Sequence, residues 1–414
     1  MSTKPKVVSL FSGAGGMDLG FLQAGCEIIW ANDFVLDAVE TYKKNIGEHI
    51  IHGDITKIDS SVIPDNPDIV IGGFPCQGFS VANTKRSMED KRNFLYKEML
   101  RIIKDKKPKF FLAENVKGLL SMSKGKVIEM IKNDFRQLGY NVEVTLLNSA
   151  DYGVPQARER VFIMGNNIGK ENIFPEETHA DKINASLIDE LFFENKEPYI
   201  TVKDAIGFLS DVEPSPNPIM VGNRKIYNHI AYTNVSDKFF ARKHNVHQFD
   251  ICDYLREWRK KANISVKKID EIFGYNHTAG HWFRKDNNSG SIPKPSDWWK
   301  LKELLSFDDK YDKAVTEFIE KEIVFEQSLR ITNWERPSDT ITATGPEIHV
   351  NKLRRLSVRE CAILQSFPDD FIFTGSLNGQ HRQVGNAVPP LLSKKIAECI
   401  KQQIEISEKI LVQN

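Results

Sequence analysis

Cys76 sits where a nucleophile would be useful. It lies in Gly72-Gly73-Phe74-Pro75-Cys76-Gln77-Gly78-Phe79-Ser80, directly after the apolar run Asp68-Ile69-Val70-Ile71. The run reads as a short buried strand, and the glycines with Pro75 turn the backbone at its carboxyl end. In open α/β sheets that edge is where ligands and chemistry gather. A thiolate there could attack an electrophilic carbon; the competing reading is a small buried apolar residue. Glu114 follows a second apolar run, Phe110-Phe111-Leu112-Ala113. A carboxyl partly desolvated at such a mouth has its pKa pushed upward and can hold a proton; otherwise it is a surface glutamate capping the next helix. Gln156-Ala157-Arg158-Glu159-Arg160 precedes a third run. Strand alternation puts Arg158 and Arg160 on the same side, where paired guanidiniums suit a phosphate or carboxylate, or else line a solvated edge.

A fourth feature points to a ligand. The first candidate strand, residues 6–11, ends in Phe11-Ser12-Gly13-Ala14-Gly15-Gly16. Glycines at a helix N-terminus let a ligand approach the backbone closely. Asp33 ends the next strand about 20 residues on, where a carboxylate takes ribose hydroxyls. The dinucleotide fingerprint needs a further glycine at position 18, but Asp18 stands there, and a diphosphate prefers no carboxylate nearby. A cofactor with a ribose and no diphosphate, such as S-adenosylmethionine, fits better.

The elements that must position these groups follow from periodicity. Residues 6–11, 28–33, 109–113, 142–147 and 161–164 read as strands. Helical stripes, Phe94, Leu95, Met99, Leu100, Ile102 and Ile103 in one and Val127, Met130, Ile131, Phe135 and Leu138 in another, alternate with them. That rhythm means a doubly wound α/β sheet. The chain has 414 residues, 41% hydrophobic and 27% charged, which suits an ordinary globular protein of two or three domains. No apolar run reaches a membrane span, and the apolar run near the start is too short for a signal peptide. The five cysteines show neither metal-ligand spacing nor a paired framework, so a reducing, intracellular compartment is expected. A net charge of zero excludes a protein that is basic all over, but not one with a local basic face.

Beyond residue 165 the rhythm stops. Residues 264–274 read as a short helix stopped at Gly274, and 277–285 as a second. This is a helix-turn-helix outline whose second helix would present Trp282, Arg284 and Lys285 to DNA. His277 and His281 have metal-ligand spacing, but no acidic partner or third ligand accompanies them, so no metal is expected. The final part regains the first style. Val388, Leu391, Leu392, Ile396, Ile400 and Ile404 form the stripe of a last helix that must lie on something apolar, most simply the first domain's sheet.

Taken together, the blocks Phe-Ser-Gly-Ala-Gly-Gly, Gly-Phe-Pro-Cys-Gln-Gly-Phe-Ser, Glu-Asn-Val, Gln-Ala-Arg-Glu-Arg, residues 352–371 and Gly-Asn-Ala-Val-Pro, in that order, resemble the DNA (cytosine-5)-methyltransferase family. The resemblance covers residues 7 to about 165 and about 337 to the last helix. It implies a Rossmann-like, mostly parallel S-adenosylmethionine-dependent methyltransferase sheet built from residues 1–165 and 346–414, the last helix folding back beside the first strand. A smaller target-recognition domain would span 166–345. Cys76 resembles the nucleophile, Glu114 the acid at the cytosine ring nitrogen, and Arg158 and Arg160 the arginines that hold the base and organise the site. Phe11, Gly13, Gly15, Gly16, Asp33, Phe34, Asp54, Pro75, Leu95 and Asn386 resemble the cofactor contacts. Ala387 replaces a common serine. Ser80 and Thr340 resemble DNA contacts. The resemblance further implies double-stranded DNA as partner, base flipping, a monomer in a bacterial cytoplasm, and room for a cognate restriction endonuclease acting separately. A tRNA cytosine-C5 methyltransferase would share the catalytic blocks. A silent sequence-specific DNA-binding regulator would lack the need for Cys76, Glu114 and Arg160. A nicotinamide oxidoreductase is disfavoured by Asp18.

Overall fold

The computed structural model describes residues 4–75, 95–182, 195–232, 248–274, 282–283, 293, 295–316, 330–343, 346–351 and 354–413. Its sheet strands are β1 (Lys6–Leu10), β2 (Glu27–Asp33), β3 (Ile50–His52), β4 (Ile69–Gly72), β5 (Phe110–Val116), β6 (Asn141–Asn148) and β7 (Glu159–Asn166). They lie in the order β3-β2-β1-β4-β5-β7-β6. β1 to β5 run parallel, while β7 is antiparallel to both its neighbours. The order reverses between β1 and β4, the topological switch point at which such sheets bind ligands.

The run-like, rather than alternating, hydrophobicity of β1, β4 and β5 is what a strand covered on both faces requires. Odd and even residues divide between two cores. Val7, Ile69, Ile71, Phe110 and Leu112 join one; Val8, Val70, Phe111 and Ala113 join the other. The second core is closed by helices α3 (Leu95–Lys106) and α4 (Lys126–Gln137) through Met99, Ile102, Ile103, Val127, Ile131 and Phe135. The first is closed by α1 (Gly16–Gln23), by α2 (Leu36–Asn45) through Val39 and Tyr42, and by the last helix, Pro390–Gln413, through Leu392, Ile396, Ile400 and Ile404, with Val388 just before it. The stripe expected from periodicity thus finds both the sheet and α1. The approach of these two helices is close enough to demand glycine. A Cβ on Gly16 would lie 2.5 Å from the Val388 carbonyl oxygen, and one on Gly20 would lie 2.5 Å from that of Pro390.

The chain divides into two compact units: Met1–His229 with Glu335–Ala343 and Val358–Asn414, and Ile230–Trp334 with Thr344–Ser357. These boundaries differ from 165 and 346. Residues 166–182 stay with the first unit because their polar groups bond its sheet, Asn172 Nδ2 donating to the Asn141 carbonyl at 2.9 Å, and residues 195–229 because they bond its C-terminal part, Asn228 Nδ2 donating to the Phe373 carbonyl at 2.9 Å. Residues 335–343 do the same, Ser338 N donating to Pro155 O at 3.0 Å and Ala157 N to Ser338 O at 2.8 Å. Residues 346–357 instead bond within the second unit, Leu356 N to Glu347 O and Thr332 N to Ile348 O, each 2.9 Å.

In the second unit, α5 (Gln248–Ala262), α6 (Val266–Phe273), α7 (Pro295–Leu305) and α8 (Asp312–Thr316) surround a core containing Leu255, Ile269, Trp298, Leu301, Phe307 and Val315. Helix α6 matches the short helix read from sequence. Ser265 caps it by accepting from Lys268 N, and Gly274, at φ 73°, ends it. Helices α9 (Val358–Leu364), α10 (Leu377–Asn386) and α11 (Pro390–Gln413) belong to the first unit.

Candidate active site

Strand β5 outlasts its parallel neighbour. Gly72, the last residue of β4, pairs with Ala113, so Glu114, Asn115 and Val116 run on beyond it, paired with β7 alone. Across that antiparallel pair Glu114 faces Phe162 and Val116 faces Arg160, which makes Glu114 and Arg160 diagonal neighbours on one face. Arg160 Nε lies 3.0 Å from Glu114 Oε1. Glu114 is 9% exposed, and burial pushes its pKa up against the opposing pull of Arg160 and then Arg158. The result is a carboxyl that holds a proton more readily than one in water, clamped against a fixed guanidinium. The chain leaving β4 is fastened to the same spot. Buried Asn115 donates from Nδ2 to the Phe74 carbonyl at 3.1 Å and accepts from Val116 N at 2.9 Å. A Cβ on Gly73 would stand 3.1 Å from Glu114 Oε2. Pro75 follows at once, and Leu95 opens α3 half-buried. Cys76 and Ser80 lie outside the described residues.

Arg158 does not aim where Arg160 does. Strand β7 begins at Glu159, so the alternation that would align the two arginines does not reach Arg158. Its side chain is 1% exposed, with Nη1 donating to Ile341 O and Nη2 to Gly385 O, each at 2.9 Å. A guanidinium whose two terminal nitrogens are committed to backbone carbonyls is a strut.

At the switch point the glycine loop turns through positive φ at Phe11 (54°), Gly13 (56°) and Gly15 (90°). Gly13 needs its glycine for this backbone, and a Cβ there would meet open space. Its N–H donates to Asp33 Oδ2 at 2.8 Å, while Val35 N donates to Oδ1 at 2.8 Å. Burial pushes the Asp33 pKa up, and these amides oppose the shift. Phe34, next along, is 71% exposed, an aromatic face left uncovered beside the carboxylate. Gly53 N donates to Asp33 O at 3.0 Å, bringing the following Asp54 close by. Asp54 caps the turn Ile55–Lys57 and is held below the usual carboxylate range by the Thr56 hydroxyl and amide. Gly15 and Gly16 are buried beneath this loop, and Asn386 ends α10 exposed.

Asp18 turns inward instead of facing a ligand. It is fully buried, accepting from the Ser9 and Tyr42 hydroxyls at 2.8 Å each, and burial pushes its pKa up to about 6. Its bar to a dinucleotide is the missing glycine, since its charge is not offered to the loop.

The DNA-facing expectations fare differently. Trp282 is 2% exposed, in the aromatic core of the second unit with Phe283 and Trp298, so it packs where a base reader was expected. Arg284, Lys285, His277 and His281 lie outside the described residues. Thr340 Oγ1 donates to Ala157 O at 3.0 Å. Residues that sequence reasoning left without a role include Asn115, the anchor of the Phe74 carbonyl, and two buried glutamines. Gln156 accepts from Ile341 N at 3.1 Å, and Gln365 donates to Val384 O at 2.8 Å. For Asn115, a polar amide at the end of an otherwise apolar strand was the available signal. Among the described residues no cluster of three or more His, Cys, Asp or Glu could hold a metal ion, and no helix is long and apolar enough to cross a membrane.

The family model for C-5 cytosine-specific DNA methylase matches residues 5–402. A Type II methyltransferase of Neisseria gonorrhoeae, M.NgoFVII, is 35% identical over 99% of this chain and 92% of its own length. M.AgeI, a Type II methyltransferase of Thalassovita gelatinovora, is 33% identical over 96% of this chain and all of its own. Among solved structures, S. pombe Dnmt2 methyltransferase superposes with a TM-score of 0.51 at 16% identity, over 97% of this chain and 99% of its own, which bears on the fold alone.

Proposed function

The chain belongs to the C-5 cytosine-specific DNA methylase family, and from that premise we propose that it methylates C5 of a flipped-out cytosine within a particular duplex sequence through a covalent bond to Cys76. The observation that carries the reading is the Glu114–Arg160 pair, buried at the end of β5 where Asn115 fastens the backbone leading to Cys76. Cytosine C5 is a poor nucleophile. As the Cys76 thiolate adds to C6, the electron pair of the C5–C6 double bond is driven into the ring toward N3, where a protonated Glu114 meets the growing charge. Arg160 keeps the carboxyl oriented and offers a donor to the base's acceptor oxygen. Through C5 the enamine would take the methyl of a sulfonium donor, whose bond to sulfur breaks and leaves a neutral thioether; loss of the C5 proton to a base then expels the thiolate, N3 returns its proton to Glu114, and the ring is restored.

S-adenosylmethionine would be the methyl donor, carrying its methyl on a sulfonium. The residues present fit it: an open Gly13 and the Asp33 carboxylate for the amino acid and ribose portions, Phe34 as a face for a flat ring, with Asp54 and Asn386 nearby in the family pattern. No diphosphate cradle is required. The second unit would act in target recognition and, with phosphate contacts, offset the few kcal/mol that extruding a base costs. Full-length likeness to Type II methyltransferases favours DNA over tRNA as substrate.

The test is bisulfite sequencing of DNA from cells expressing the chain, alongside incubation of the purified protein with a duplex containing 5-fluorocytosine. Modification at one sequence context and a stable adduct lost in Cys76→Ser are expected. Absence of C5 methylation in every context would overturn the proposal.

A further inference from the structure

We infer that Arg158 is a positioning residue that holds the helix end presenting Asn386 in register with the strand presenting Arg160, so that one buried cation aligns the cofactor side of the site with the base side. The inference rests on the function proposed above. Its geometry is a sandwich with the segment Glu335–Ala343 as filling. On one side, Ala157 N bonds Ser338 O, and Gln156 accepts from Ile341 N. On the other, a Cβ built on Gly385 would come within 2.4 Å of the Thr342 carbonyl carbon and 2.6 Å of Ala343 N, so the end of α10 lies flat on the same segment. Arg158 crosses between them. Its two terminal nitrogens reach Ile341 O and Gly385 O at 2.9 Å, and Gln365 secures the adjacent Val384 O.

A planar guanidinium with two divergent donors can hold two carbonyls at a fixed separation; an ammonium cannot do so along the same line. Arg158 is followed within two residues by Arg160, and Gly385 immediately precedes Asn386. A slip at either end of the strut therefore moves one half of the site against the other. Buried Arg359 shows the same use of charge in this unit, donating to the carbonyls of Tyr227, Pro368 and Phe371.

The experiment compares Arg158→Met with Arg160→Met in the full chain. It reads S-adenosylmethionine affinity by calorimetry without DNA, single-turnover methyl transfer at saturating cofactor, and far-UV circular dichroism for the folded fraction. Arg158→Met is expected to weaken cofactor binding by about tenfold and to slow transfer by about a hundredfold, as a misplaced reacting pair should. Arg160→Met is expected to slow transfer alone. Gly385→Ala, which presses on the strut's far end, is expected to weaken cofactor binding as well. Arg158→Lys retains the charge and one carbonyl, and is expected to recover only part of the loss; should Arg158→Met fail to fold, it carries the comparison together with Gly385→Ala. Unchanged cofactor affinity per folded molecule in the Arg158 variants would overturn the inference. If the parent protein transfers no methyl to DNA, the proposed function falls, while the affinity comparison still decides whether Arg158 braces the cofactor side.

Discussion

Replacing Glu114 with glutamine exchanges a carboxyl that can give up its proton for an amide that can only share one. The change is nearly isosteric, which matters because a Cβ on Gly73 would already stand 3.1 Å from Glu114 Oε2. In the proposed reaction Glu114 hands its proton toward the charge developing on the ring; the glutamine amide can still donate a hydrogen bond there but cannot transfer a proton, and loss of general-acid help of this kind lowers kcat by about 10²–10⁴, or about 2.7–5.4 kcal/mol. At 9% exposure there is little water to screen or replace it, so the upper part of that range is expected. The pH profile carries a second signature. Burial raises the Glu114 pKa above the ordinary 4.5, so the protonated, competent form is complete below the raised value and is lost as pH climbs through it. Cys76 asks the opposite, its thiolate fraction growing toward an ordinary pKa of about 8.5. The parent enzyme should therefore show a bell, and Glu114→Gln should lose the descending alkaline limb while keeping the ascending one. Single-turnover transfer from labelled cofactor, measured across the pH range and divided by the folded fraction from urea unfolding, tests both points; the second measurement is needed because Arg160 loses its carboxylate partner. A variant within a few-fold of the parent, or one that keeps the alkaline descent in place, would refute the reasoning.

Asn115→Ala should leave the buried Phe74 carbonyl without its donor. That costs about 1–3 kcal/mol of stability, with transfer slowed about a hundredfold and cofactor affinity unchanged. Parental values for both the urea midpoint and the transfer rate would dispose of the anchor. Gly20→Ala adds a Cβ 2.5 Å from Pro390 O and 2.6 Å from Lys394 N, backbone atoms that cannot yield cheaply. The gain of about 1 kcal/mol in helix propensity is therefore expected to be outweighed by an overpacking cost of about 1–3 kcal/mol, or more at this spacing, read as a lower thermal midpoint. An unchanged or higher midpoint would show that the helices can part without penalty.

Much of the sheet was legible because doubly covered strands write themselves as apolar runs: residues 69–71 and 110–113 could hardly be read otherwise. Lateral order was not. Nothing local in residues 141–166 says that β7 inserts between β5 and β6, yet that insertion brings Arg160 diagonal to Glu114. Arg158 misled for a related reason: alternation is a property of a strand, and the strand starts one residue later. Trp282 misled because nearby cations suggest a surface, whereas burial is decided by partners such as Trp298 that lie 16 residues away in sequence. The same holds for Asp18, whose neighbours Ser9 and Tyr42 come from separate elements.

The seating of α11 on α1 has a consequence for biosynthesis. The apolar face made by Met17, Phe21, Val7 and Ile28 is covered by residues 388–404, so during translation it waits uncovered while the 360 residues from Ile28 to Val388 are added. A nascent chain halted short of that helix would carry the glycine loop on an unclosed core, exposed to aggregation and to chaperones. Methylating competence should thus appear late and all at once on the ribosome's product, and truncation just before Pro390 should release a chain that is made but never becomes soluble.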